Sequence, residues 1–117
     1  VYEYQAKVVR VIDGDTIVVS VDLGFHVSVQ QTLRLHGINA PEMRGSSLTS
    51  EQKQHAREAT ARLREMLSGD AITIKTVKDR QGKYGRYLAV VFAEGPEGFP
   101  LDVGLQMVLE GFASRMD

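Results

Sequence analysis

The chain of 117 residues contains no cysteine. That excludes disulfides, thiolate metal sites and a cysteine nucleophile. It leaves the compartment open, because a chain without thiols is safe in oxidising and reducing surroundings alike. No apolar run approaches the roughly 20 residues that a membrane-crossing helix needs. No charged n-region followed by an apolar h-region opens the chain. Internal repeats and low-complexity segments are also missing. So is an excess of either charge: the formal net charge is −1, which argues mildly against a non-specific nucleic-acid binder, since such proteins are usually basic overall.

What is present fits a soluble globular protein. Hydrophobic residues make up 43% and charged residues 25% of the chain, and the length suits one domain over 1–117 with a core of its own. The charge is unevenly spread. Between Lys75 and Arg86 stand five basic residues (Lys75, Lys78, Arg80, Lys83, Arg86) and one acid, Asp79. A local cationic edge can exist on a neutral protein.

Hydrophobic periodicity gives the element order. Tyr4 to Ile12 and Thr16 to Val21 read as strands, followed by a turn at Asp22-Leu23-Gly24. His26 to Ile38 reads as a third, bent strand, ended by Asn39-Ala40-Pro41-Glu42. Thr49-Ser50-Glu51-Gln52 fits a capping box. Ala56, Ala59, Leu63, Met66 and Leu67 then recur at three- and four-residue spacing, which predicts an amphipathic helix stopped by Gly69. Its charged residues, among them Lys53, Arg57, Arg62 and Arg64, read as a solvated face. Ala71 to Val77 and Tyr87 to Ala93 are two further strands around a charged loop from Asp79 to Arg86. Leu101, Leu105, Val108, Leu109 and Phe112 predict a second helix from about Pro100 to Glu110, closed by Gly111. Tyrosine and phenylalanine, apart from Tyr84, are expected mostly in the core. Five short strands with an inserted helix suit an all-β barrel with about two added helices, a five-stranded barrel of the OB type.

Three places hold polar groups where strands end: Asp13-Gly14-Asp15, then Arg34 with Asn39-Ala40-Pro41-Glu42, then Lys83-Tyr84-Gly85-Arg86. Carboxylates beside two arginines suggest metal-assisted chemistry on an anionic substrate. Each has a plainer reading. Asp-Gly is among the commonest turn dipeptides, Glu42 after a proline suits an exposed loop, and a strand arginine usually faces solvent or pairs with an acid. His26, His36 and His55 lack metal-ligand spacing. His36 would share a strand face with Arg34 by alternation.

Taken together, IDGDT, RLHGINAPE and DRQGKYGRYLA, in that order and spacing, resemble the staphylococcal nuclease family from about Tyr4 to Phe112. The resemblance implies a five-stranded OB-type barrel and a calcium-dependent phosphodiester hydrolase. It implies action on DNA and RNA with little sequence preference, leaving 3′-phosphate ends. It assigns Asp15, Asn39 and the Ala40 backbone carbonyl to the calcium ion, with Asp13 in support. Glu42 becomes the general base for the attacking water. Arg34 and Arg86 hold the scissile phosphate, and Lys83 and Tyr84 contact the nucleotide. Asn39 departs from the pattern, because the family usually has aspartate there. Calcium affinity depends on ligand charge, so weaker metal binding is expected. Single strands should be preferred and the protein should be a monomer away from membranes. The start at Val1 is consistent with a trimmed leader or further domain, and so with a secreted or cell-envelope bacterial setting. Two alternatives stand beside this: a non-catalytic nucleic-acid-binding module on the same barrel, and a protein-interaction domain that uses no nucleic acid.

Overall fold

The computed structural model describes residues 2–41, 48–69, 71–81 and 87–116, without the side chains of 78–81. β1 (Glu3–Asp13), β2 (Thr16–Asp22) and β3 (Ser28–Leu35) form an antiparallel meander. β5 (Ile72–Gln81) pairs with β1, and β6 (Tyr87–Glu94) pairs with β5, both antiparallel. A parallel contact of β3 with β6, Leu33 to Tyr87 through Leu35 to Ala89, closes the ring. The result is a closed five-stranded mixed barrel with two helices, the OB-type architecture expected from the periodicity.

The barrel is filled by aliphatic side chains: Ile17, Val19, Leu33, Leu35, Ile74 and Val91 are at most 2% exposed. The aromatic residues, expected mostly in the core, lie elsewhere. Phe25, Phe99 and Tyr2 are 98%, 68% and 55% exposed, while Tyr4, Tyr87 and Phe112 only pack against the core's rim. The inside of so narrow a barrel suits branched chains, and rings fit its ends better.

Helix α1 spans Ser50–Met66. Thr49 caps it as the sequence predicts: the Gln52 N–H donates to Thr49 Oγ1 at 3.1 Å, and the Thr49 N–H donates to Gln52 Oε1 at 2.8 Å. Ala56, Ala59 and Leu63 then reach the core on one face. Helix α2 is shorter than expected, Val103–Leu109, because Asp102 is its N-cap, accepting from the Leu105 N–H at 3.1 Å. The residues before it, Pro100–Asp102, form β7 on the edge of β6. β3 is also shorter than read. Gly24, Phe25 and His26 have positive φ and belong to the turn, and Gly37, with φ 81°, breaks the chain after Leu35. Beyond that break the chain forms a separate β4 (Ile38–Asn39), which pairs with β8 (Ser114–Arg115). His36 therefore lies beyond β3, and strand alternation does not tie it to Arg34. β5 reaches Gln81, past the expected end at Val77, because pairing with Tyr87 carries it on.

Two tertiary contacts fix how α1 sits. Gly14, in the β1–β2 turn, is buried, and a Cβ there would lie 2.9 Å from the Ala40 Cβ and 3.0 Å from the Ala59 Cβ. Space, not a left-handed conformation, requires glycine at this position. On the outer side, Arg62 grips Glu110 with Nε to Oε1 at 2.6 Å and Nη2 to Oε2 at 2.9 Å, and also meets Glu65 at 3.2 Å. Arg62 thus bridges α1 to the end of α2 instead of lying on a merely solvated face. Hydrogen bonds from Arg62 and then Gln106 hold the Glu110 carboxyl down at about 2.

Two outcomes are expected. Gly14→Ala should lower stability by about 1–3 kcal/mol through overpacking, read as a lower urea midpoint at unchanged slope. Glu110 has a depressed folded pKa, so its contribution is complete above its ordinary value of 4.5 and is lost as pH falls towards 2. Glu110→Gln should flatten that acid limb in thermal melts. The effect should shrink in salt, since the pair is solvent-accessible.

Candidate functional site

The β1–β2 turn delivers Asp15 at the head of β2, and register places Arg34 opposite Thr16. The turn at Gly37 then folds β4 back, bringing Asn39 and Ala40 alongside. Asp15 is 6% exposed. Its Oδ1 accepts from the Thr16 hydroxyl at 2.9 Å and its Oδ2 from the Ala40 N–H at 2.9 Å. Its main-chain carbonyl accepts from the Leu35 N–H at 2.8 Å. The Arg34 guanidinium stands between two oxygens: its Nη2 donates to Asn39 Oδ1 at 3.1 Å and lies 3.6 Å from Asp15 Oδ2. The same nitrogen is 3.8 Å from Met116 Sδ.

Asn39 is held from behind by the last strand. It pairs with Ser114, whose hydroxyl donates to the Asn39 carbonyl at 3.3 Å, and the Met116 N–H donates to the Gly37 carbonyl at 2.9 Å. Asp13 is half-buried across the turn from Thr16. His55 is accounted for by the fold: its Nε2 lies 3.2 Å from the Gly111 carbonyl, beside the Phe112 ring.

Asp15, Arg34, Asn39 and Ala40 are thus brought together. Glu42, Lys83, Tyr84 and Arg86 lie outside the described residues. The oxygens at hand are a carboxylate, a side-chain amide and backbone carbonyls, which are the donor types hard divalent cations take. Among the described residues no three His, Cys, Asp or Glu side chains cluster. Thr16, Ser114 and Met116 take part in the site without having been singled out. Thr16 adjoins Asp15 in the chain, whereas Ser114 and Met116 carry no local signal.

A small closed barrel that carries a buried carboxylate, a guanidinium and an amide together at its strand ends defines an OB-type domain with a polar candidate site. The family model described as "Staphylococcal nuclease homologue" matches residues 32–117, which include Arg34 and Asn39 but not Asp13 or Asp15. The chain belongs to the staphylococcal nuclease family. It is similar to the thermonuclease of Staphylococcus hyicus, 33% identical over 90 residues, which is 77% of this chain and 49% of that protein. The chain therefore spans about half the length of this curated relative.

Asp15→Ala would strip acceptors from a buried main-chain N–H and from Arg34. The expected loss is about 1–3 kcal/mol, measurable by urea unfolding in the presence of chelator, so that no metal contributes.

Proposed function

We propose that the chain is a calcium-dependent nuclease that hydrolyses phosphodiester bonds of DNA and RNA with little sequence preference and leaves 3′-phosphate ends. The observation that supports this most directly is the convergence of Asp15, Arg34 and Asn39 at one barrel end, in a chain of this family. Asp15, the Asn39 amide oxygen and the Ala40 carbonyl would hold the ion, with Asp13 in support. When bound, calcium supplies positive charge against the phosphorus oxygens and lowers the cost of ionising a nearby water. Arg34 and Arg86 grip the scissile phosphate, where guanidinium can engage two oxygens. Glu42 takes the proton of the attacking water. Lys83 and Tyr84 hold the neighbouring phosphate and base. A tyrosine that stacks on bases favours single strands, whose bases splay freely.

The surroundings of Arg34 support this part. Its Nη2 donates to the neutral Asn39 amide oxygen and stands 3.6 Å from the Asp15 carboxylate, so two neighbours orient the guanidinium and only one of them carries charge. The same neutrality favours a second reading, a non-catalytic nucleic-acid-binding module, because the ion would meet one charge fewer than with aspartate at position 39.

Cleavage of single-stranded DNA is expected with calcium and lost with chelator. Absence of cleavage with either calcium or magnesium, in a folded protein, would overturn the nuclease reading in favour of the binding module. Glu42→Gln should lower turnover by about 10²- to 10⁴-fold while oligonucleotide binding persists. Arg34→Gln should cost about 10²- to 10³-fold.

A further inference from the structure

A second cationic feature runs along the outside of the barrel. β5 pairs with β1 only from Glu3 to Ala6. From Lys7 onwards that edge of β1 faces α1, and a groove of about 570 Å³ opens between Lys7–Val11 and the end of α1. Lys7, Arg10 and Arg64 line it, all three exposed, and among the described residues no acid lines it. A register break between Val8 and Arg10 upsets the strand alternation, so Val9 and Arg10 both face outwards. The ion pairs among the described residues involve Arg34 and Arg62 alone. Lys7, Arg10 and Arg64 therefore have no acidic partner there, on a chain whose net charge is −1.

We propose that this groove binds the sugar–phosphate backbone of a single-stranded nucleic acid and extends the substrate path beyond the Asp15–Arg34 site. Charge complementarity argues for a polyanion. Val9, which lines the groove with the cations and is 49% exposed, gives bases an apolar surface. Direction argues for substrate over an acidic peptide, because β1 leads straight to Asp13 and the turn that carries Asp15. The six steps from Lys7 to Asp13 span about 20 Å at strand rise, a length suited to several nucleotides of a stretched strand. Only this link to cleavage rests on the nuclease reading.

The test compares wild type with Lys7→Gln/Arg10→Gln/Arg64→Gln and with a charge-matched control, Lys53→Gln/Arg57→Gln/Lys75→Gln, whose three sites lie outside the groove. Binding of fluorescent oligothymidylates of two to eight nucleotides is followed by anisotropy between about 50 and 200 mM salt, in chelator so that nothing is cut. The groove variant should lose about 2 from the log–log salt slope, about 0.7 for each of three phosphates. The loss should appear only with the longer oligomers, and the control should keep the wild-type slope. All six side chains are exposed, and thermal melts check folding. Should the triple variant not fold, Arg10→Gln alone should remove about 0.7.

An unchanged slope in the groove variant, or an equal loss in both triples, overturns the proposal. So does a wild type that binds a polyglutamate peptide through these residues while its oligonucleotide affinity ignores them. A slope loss in a protein that never cleaves would keep the groove and sink the nuclease reading; cleavage with no slope loss would do the reverse.

Discussion

Asp15 loses its water where β1 turns into β2, and the barrel end is arranged around replacing that water. A buried carboxylate is costly unless hydrogen-bonded and paired. Thr16, Ala40 and Arg34 supply those partners from three segments. Each bond also fixes geometry. The Ala40 bond pins β4 across the β1–β2 turn, and the Leu35 bond to the Asp15 carbonyl pins the end of β3. With both in place, Arg34 has little choice but to lie against Asn39. The pairing that settles a buried charge is thus the one that assembles the candidate site.

The rest of the architecture protects this arrangement. The parallel contact of β3 with β6 sets Arg34 opposite Leu88 and closes the aliphatic barrel behind it. α1 can approach the β1–β2 turn closely because Gly14 has no side chain to hold it off. On the far side, the Arg62–Glu110 fork keeps α2 in place relative to α1. Barrel, turn and helices therefore position one another through contacts distant in sequence.

How much of this was legible depended on whether a residue's partner was near in the chain. The Thr49 capping box and the Ala56–Leu63 face are local patterns, and both appear as read. The start of α2 was misread because Leu101 continues the apolar spacing backwards, while the Asp102 cap and the β7 pairing decide the boundary. The Ile38–Asn39 pairing with Ser114–Arg115 involves two residues on each side and leaves no periodicity to detect. For the site, Asp15, Arg34 and Asn39 were individually unremarkable as a turn acid, a strand cation and a loop amide. Their places at strand ends grouped them as candidates, and the resemblance across three motifs gave each a part. Arg34's contact with Met116 spans 82 positions and had no signal at all.

The β4–β8 clasp also has a consequence for the order in which the protein is made. Asn39 receives its hydroxyl donor from a residue 75 positions later. A chain emerging at about 5–20 residues per second therefore presents Asp15, Arg34 and Asn39 several seconds before the strand that braces them exists. During that interval the polar groups are synthesised but not yet held. The β4–β8 clasp thus makes the bracing of Asn39 a late event: a chain that has not yet reached Ser114 carries the candidate site without it.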